Sequence, residues 1–153
     1  MKRTLYILSI IVILINISSK INDNVTELLE KILGFVQRRK QQLSENITNV
    51  NTPGYIPKDL DVKGFAYLMT CAVAEHMQSE RLLLCDNEYI KFGPDGVFES
   101  LPMVDHHAYE LLCSDSKAYL ENQLKKLSEN RANYKAAQEI LRHKRSMAMM
   151  RGN

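Results

Sequence analysis

Two long stretches of the chain carry apolar residues at the three- and four-residue spacing of an amphipathic helix. The stripe of the first stretch contains Leu29, Ile32, Val36 and Leu43. Asn24 can cap its start, whereas Pro53 cannot continue a helix and Gly54 allows a tight turn. The pattern therefore predicts a helix that starts at residue 24 and ends near residues 49 to 51.

The second stretch runs from about residue 116 to residue 150 without proline or glycine, which predicts one continuous helix. Asp115 or Ser116 can cap its start. The predicted packing seam contains Leu120, Leu124, Leu127, Tyr134 and Leu141. Polar residues interrupt the apolar pattern at Gln123, Arg131 and Gln138. These interruptions indicate packing in an assembly with polar layers rather than in a simple two-stranded zipper.

The region between these two helices has a different pattern of apolar and polar residues. Apolar residues from Phe65 to Met77 have helical spacing and predict a short amphipathic helix. Two strand-like runs, 89–92 and 97–100, flank the turn formers of residues 93–96 and predict a small hairpin. The predicted fold is therefore mainly α, with the N- and C-terminal helices forming an antiparallel, coiled-coil-like pair around a small irregular α+β module.

The N-terminal segment has the order of a targeting signal. Lys2 and Arg3 precede an apolar run from Leu5 to Ile15, and a polar stretch follows. The run is short for a membrane-spanning helix, which needs about 20 apolar residues. Three interpretations stay open: a signal or anchor, a start site assigned too far upstream, and a buried extension. The predicted segments of the chain are 1–20, 22–61, 62–115 and 116–153.

Charge and cysteine content exclude several functional classes. The net charge of +2 does not favour nucleic acid, whose phosphates require clustered cations. Two basic clusters, 38–40 and 142–145, are predicted to be solvated helix faces, or contacts for a subunit or an anionic surface. The three cysteines show no CxxC spacing and are predicted to be buried or partly buried thiols. They are Cys71, Cys85 and Cys113.

Candidate catalytic chemistry is sparse. Adjacent His106 and His107, with Asp105 and Cys113, lack the spacing of a closed tetrahedral metal site. The chain has no glycine-rich phosphate loop, nucleophile elbow or HExxH motif. We therefore predict that the protein is not an enzyme and uses no cofactor or metal.

The most specific segment lies at the end of the first helix. Its asparagine and threonine side chains can cap freed backbone groups, and Pro53 and Gly54 redirect the chain. From the residues alone, this segment is a capped helix end followed by a turn. We assign to this turn motif Asn46, Ile47, Asn49, Asn51, Thr52, Pro53, Gly54 and Tyr55.

The motif resembles the Asn-Ile-Ala-Asn-x-x-Thr-Pro-Gly-Tyr signature near the N-terminus of flagellar rod, hook and hook-associated proteins, with Thr48 in place of Ala. The C-terminal helix is similar to that of proximal-rod members of this family. The similar C-terminal positions are Leu120, Glu121, Leu127, Glu129, Asn130, Tyr134, Ala136, Leu141, Ser146 and Met147. The two similar regions, about 24–61 and 118–151, cover somewhat under half of the chain.

The resemblance implies a structural subunit of the bacterial flagellar basal body, in the periplasmic rod that transmits torque from the membrane ring. The implied partners are other flagellar rod subunits, the membrane ring and the ring-rod adaptor, in a helical assembly of identical and related subunits. Residues 5–15 offer an additional membrane contact. The alternative is a membrane-tethered helical adaptor that uses residues 5–15 as its anchor.

Overall fold

The structure is a computed structural model that describes residues 7, 9–13, 23–93 and 98–152. Residues 9–13 are helical, and four longer helices follow. We number these four α1 (Asp23–Thr48), α2 (Val62–Ser79), α3 (His106–Ser114) and α4 (Ser116–Arg151). The mainly α fold class is therefore confirmed.

The first long helix ends as its sequence signals require but begins differently. Because α1 already includes Asp23, Asn24 lies within its first turn, and the prediction that Asn24 caps the helix is wrong. The Asn24 side-chain amide instead donates a hydrogen bond to the carbonyl of Glu80 at 2.9 Å. This bond links the start of α1 to the end of α2. After Thr48 the chain turns, and Gly54 adopts a positive φ of 73° that favours glycine.

The C-terminal helix is continuous, as predicted. Asp115 is its N-cap, and its carboxylate accepts hydrogen bonds from the amides of Lys117 and Ala118 at 3.1 Å. These two amides have no partner within the helix, so the cap satisfies them. Of the two predicted caps, Asp115 therefore takes the role.

Within the described residues, four short strands form two antiparallel pairs. Strands β2 (Ile90–Phe92) and β3 (Phe98–Ser100) form the predicted hairpin, whose turn at residues 94–97 lies outside the described residues. Strands β1 (Lys58–Asp59) and β4 (Met103–Val104) form a second pair that was not predicted. Each of these two strands is only two residues long, so neither leaves an alternating pattern in the sequence.

The main core lies where α1, α2 and the hairpin meet. The rings of Phe35 and Phe65 stack with centroids 4.0 Å apart, and Phe98 approaches Phe65 edge-on at 6.0 Å. Aromatic rings bury large apolar areas, so these three residues fix the packing of the hairpin on the helices. The described part of the N-terminal apolar run adds three buried side chains to this core: Ile7, Ile10 and Ile11.

Not every apolar residue of α2 faces the core. Phe65, Leu68 and Met69 are buried as the helical spacing predicts. Met77 is 66% exposed, and its predicted place on the packed face is wrong. His76 and Glu80 near the end of α2 instead lie against the first turn of α1 through Asn24.

Helices α1 and α4 contact each other along most of α1. The side chains of Asn46 and Gln123 are hydrogen-bonded at one end, and Asn130 donates to the carbonyl of Val36 farther along. Near the start of α1, Glu30 forms an ion pair with Arg145 at 3.0 Å. Since residue numbers fall along α1 as they rise along α4, the two helices run in opposite directions.

The buried face of α4 differs from the predicted seam. Leu141 is buried, Leu120, Leu127 and Tyr134 are half-buried, and Leu124 is 54% exposed, so the seam prediction is wrong for Leu124. The buried positions of α4 are Tyr119, Gln123, Lys126, Asn130, Asn133, Ala137, Leu141 and Lys144. They have the same three- and four-residue spacing but lie mostly one position before the leucines. By contrast, the predicted stripe of α1 is buried throughout, at Leu29, Ile32, Val36 and Leu43.

Candidate functional site

The last turn of α1 places Asn46 inside the molecule, where its side chain is completely buried. Its amide nitrogen donates to the carbonyl of Lys58 at 2.7 Å and to the side chain of Gln123 at 2.9 Å. Its amide oxygen accepts from the Tyr55 hydroxyl at 2.8 Å and from the Lys58 backbone amide at 3.2 Å. The Asn46 backbone carbonyl accepts from the Tyr119 hydroxyl at 2.9 Å. We call these five residues the Asn46 cluster.

The Asn46 cluster sets the direction in which the chain leaves α1. It joins the end of α1 to the segment after the turn through Tyr55 and Lys58, and to α4 through Tyr119 and Gln123. A buried asparagine is stable here because both its donors and its acceptor have partners. Burial is the main reason that the pKa of the Tyr119 hydroxyl rises to about 12, with smaller contributions from Tyr55 and Asp105. Tyr119 therefore remains a neutral donor at physiological pH.

The rest of the turn motif faces outward. Residues 51–54 are exposed, and Asn49 and Ile47 are half-buried. Local hydrogen bonds hold the turn, because the Thr52 hydroxyl donates to the Asn49 side chain at 3.0 Å and the Tyr55 amide donates to the Thr52 carbonyl at 3.2 Å. The motif thus consists of a buried anchor, Asn46, and a half-buried anchor, Tyr55, around an ordered, exposed bend.

A buried network of charges lies next to the Asn46 cluster. The Arg39 guanidinium makes a two-point contact with the Asp59 carboxylate, at 2.8 and 2.9 Å. The Lys126 ammonium lies 3.3 Å from Asp59 and also bonds directly to Asp105. All four side chains are at most 10% exposed. This ion network contains two cations and two carboxylates, so its charges balance.

The fold brings these charges together from distant positions. The β1–β4 pair holds Asp59 beside the segment that leads to Asp105, and the Asp105 amide donates to the Pro57 carbonyl at 3.0 Å. Asp105 also caps α3, since its carboxylate accepts from the Ala108 amide at 3.0 Å. The ion network therefore connects α1, the strand pair, the start of α3 and the first third of α4.

Asp59 is ionised in this setting. Burial alone would raise the pKa of its carboxyl, but hydrogen bonding and charge from Arg39, the Lys126 ammonium and the Leu60 amide together outweigh burial and lower it. The two-point geometry is one that only arginine provides, and it orients the carboxylate as well as neutralising it. The arrangement is suited to holding elements rigidly in place.

Two cations inside the predicted solvated clusters are buried instead. Arg38 and Lys40 are exposed as expected, but Arg39 is only 3% exposed. In the second cluster, Lys144 is 6% exposed, and its ammonium has no hydrogen-bond partner among the described residues. Burial lowers the pKa of Lys144 because its charged form loses hydration.

A signal for the missed residues was present in the sequence. Arg39 and Asn46 continue the stripe of Ile32, Val36 and Leu43 at the same three- and four-residue spacing. A polar side chain at such a position lies on the packed face, so it must find a partner there. For Asp59 and Lys126 the sequence gives no comparable signal of burial, because their partners lie elsewhere in the chain.

The residues considered for metal binding have other roles or lie apart from one another. Asp105 bonds to Lys126 and caps α3, while His106, His107 and Cys113 are exposed. Among the described residues, no group of three or more His, Cys, Asp or Glu side chains is placed to hold a metal ion. All three cysteines are free thiols, and Cys85 and Cys113 are exposed, so the prediction that they are buried is wrong for these two.

In the described part of the chain, no helix combines the length and apolarity needed to cross a membrane. No family model matches this chain, and comparisons with curated proteins and with solved structures also give no match.

Proposed function

We propose that this chain is a structural subunit of the bacterial flagellar basal body, in the proximal rod, of the kind represented by the rod protein FlgB. The observation that carries the proposal is the division of the turn motif into two inward-facing anchors, the buried Asn46 and the half-buried Tyr55, and an exposed bend. Asn46 and Tyr55 bond to each other inside, while residues 51–54 are presented to solvent in a fixed conformation. An exposed bend held by buried residues is suited to contact a neighbouring subunit.

The pairing of the terminal helices supports the proposal. Buried positions in both α1 and α4 recur at intervals of three and four residues, which is the spacing of a coiled-coil-like pair. Polar residues occupy many of these positions in α4, as expected of a subunit whose register is set by specific hydrogen bonds. The Asn46–Gln123 bond is one such contact.

The geometry indicates how such a subunit would work. At 1.5 Å per residue, α4 is about 54 Å long, so the helix pair is an extended element with a bend at one end. Repeated contacts between a bend on one subunit and a different surface on the next generate a helical array. The ion network would keep the angle between the bend and the helix pair constant under torque. Other rod subunits, the membrane ring and the ring-rod adaptor are the proposed partners.

The location of the protein tests this proposal against the membrane-tethered adaptor. A tagged full-length chain should co-purify with intact basal bodies, and its deletion should abolish motility. Recovery in membranes that lack basal-body components, with motility retained after deletion, would refute the rod assignment and favour the adaptor. The burial of Ile7, Ile10 and Ile11 in the core favours the rod, because these side chains are then not available to lipid.

A further inference from the structure

A groove with a volume of about 780 Å³ lies between α1 and α4. Its lining along α4 extends from residue 124 to residue 138, which corresponds to about 21 Å of helix. A groove of this length and volume is roughly one row of side chains wide. Its shape fits one face of a helix of about four turns better than it fits a compact small molecule.

Part of the lining of the groove is apolar and incompletely covered, and we call this part the floor. Leu124, Leu127 and Tyr134 line it, and Leu124 is 54% exposed. These are the side chains whose spacing predicts a packing seam, although the buried face of α4 lies to one side of them. Of the predicted seam, Leu124 therefore stays largely uncovered in the single chain, whereas Leu127 and Tyr134 are half-buried and Leu141 is buried.

We call the polar part of the lining the rim, and it carries positive charge. Lys40 comes from α1, and Arg131 and Lys135 come from α4. No aspartate or glutamate is among the described residues that line it. An occupant would therefore need apolar side chains for the floor and carboxylates beside them.

We propose that this groove binds an amphipathic helix with acidic flanks, supplied by a different protein. Leucine-type side chains at three- and four-residue spacing would fill the floor, and glutamate or aspartate on either side would pair with the three cations. This is the helix-in-groove mode of recognition. The proposal stands independently of the rod assignment, because it uses only the shape and charge of this surface.

Charge and exposure argue against the end of α4 and the start of α1 of a second copy as the occupant. The exposed methionines at the end of α4, at positions 147, 149 and 150, are accompanied by Arg142, Arg145 and Arg151, which would meet the cations of the groove. The acidic start of α1, with Asp23 and Glu30, has no large exposed apolar side chain. Neither surface combines the two properties that the groove requires.

A labelled helical peptide tests the proposal with the full-length protein. The probe carries leucines at the stated spacing, flanked by glutamates, and its control has lysine in place of every glutamate. Fluorescence anisotropy should show saturable binding of the acidic probe and at least about tenfold weaker binding of the basic control. Equal binding of both probes, or no binding of the acidic probe, would overturn the proposal.

Two neighbouring substitutions locate the binding surface. Leu124→Glu places a carboxylate on the floor and should weaken binding of the acidic probe by about tenfold or more. Lys125→Glu makes a larger charge change at the adjacent exposed residue, which does not line the groove, and should have a smaller effect. Circular dichroism checks that both variants remain folded. Equal weakening by both substitutions would contradict the proposal, since it would indicate general electrostatic attraction.

Two further outcomes would also overturn it. Sedimentation of the protein alone could show self-association that Leu124→Glu abolishes, which would make a second copy the occupant. Vesicles containing anionic lipid could bind the wild type but not the Leu124→Glu variant, which would make a membrane surface the target. The proposal requires that Leu124→Glu change neither the sedimentation of the protein alone nor its binding to anionic vesicles.

Discussion

Asn46 occupies the point where the end of α1, the segment after the bend and α4 meet. It is completely buried, and its side chain bonds to the backbone of Lys58 and the side chains of Tyr55 and Gln123. Removal of the side chain would leave the buried Gln123 side chain and the partly buried groups of Tyr55 and Lys58 without this partner. Leaving a buried polar group without a hydrogen-bond partner costs more free energy than a typical hydrogen bond contributes to stability.

We predict that Asn46→Ala lowers the free energy of unfolding by about 2–4 kcal/mol, because buried partners of Asn46 become unsatisfied. Urea denaturation followed by circular dichroism measures this change. Asn51→Ala is the matched control, since Asn51 is exposed in the same motif, and should change stability by less than about 0.5 kcal/mol. Similar effects of the two substitutions would contradict the assigned role of Asn46.

The Arg39–Asp59 contact yields a second prediction. Asp59→Leu should destabilise the protein by about 3–5 kcal/mol, since it leaves the buried Arg39 without its carboxylate. The double variant Arg39→Met with Asp59→Leu should be more stable than Asp59→Leu alone, because an apolar pair removes the uncompensated charge. Thermal or urea unfolding of the wild type, Asp59→Leu, Arg39→Met and the double variant measures the coupling energy between Arg39 and Asp59. Strict additivity of the two single changes would show that the contact has no energetic role.

The lowered pKa of Asp59 predicts a specific pH dependence. A carboxyl whose pKa is lower in the folded state contributes stability that is complete above its unfolded pKa of about 4 and is lost as pH falls through the folded value. The stability advantage of the wild type over Asp59→Asn should therefore shrink on acidification below about pH 4. Urea unfolding of both proteins across this range measures it. A difference in free energy of unfolding between the two proteins that stays constant across this pH range would refute the lowered pKa of Asp59.

At the scale of single elements, the start of α4 depends on one side chain. Asp115→Ala should cost about 1 kcal/mol of stability, since it removes the acceptor for the amides of Lys117 and Ala118. Hydrogen exchange should show reduced protection in the first turn of α4. Ser116→Ala at the neighbouring exposed position is the control and should be nearly neutral. A larger effect of Ser116→Ala would identify it as the true cap.

The two long helices differ in how well their packed faces can be predicted. In α1 the stripe of Leu29, Ile32 and Val36 is buried, because apolar residues there face the core. In α4 the most apolar face is half exposed, and a more polar face is buried. Gln123 and Lys126 are buried because Asn46, Asp59 and Asp105 lie opposite them. Hydrophobic periodicity cannot detect this, since it scores those positions as solvent-facing.

At the scale of the whole molecule, the proposed rod function predicts that substitutions in the exposed bend impair assembly without impairing folding. Substitution of the exposed bend by Asn51→Ala and Thr52→Ala together should leave the melting temperature within a few degrees of the wild type, since both residues are exposed. Incorporation into basal bodies and swimming motility should nevertheless fall strongly. Complementation of a deletion strain measures both.

The control for this experiment is a pair of exposed residues elsewhere on α1. Gln41→Ala with Arg38→Ala lies outside the bend and should leave incorporation unchanged. Normal motility of the bend variant would contradict the proposed role of the motif. Loss of motility caused by unfolding is distinguished by the melting temperature of the purified protein.

The local elements were determined by the sequence itself. The long helices, the cap at Asp115, the turn after α1 and the β2–β3 hairpin depend on residues near one another in the chain, so local spacing and backbone preferences suffice to predict them. The tertiary structure alone decided which face of α4 is buried and which charges are paired. Arg39 and Asp59 are 20 residues apart, and Asn46 and Gln123 are 77 apart. Whether a polar side chain can be buried depends on its partner, and only the folded chain brings that partner into place.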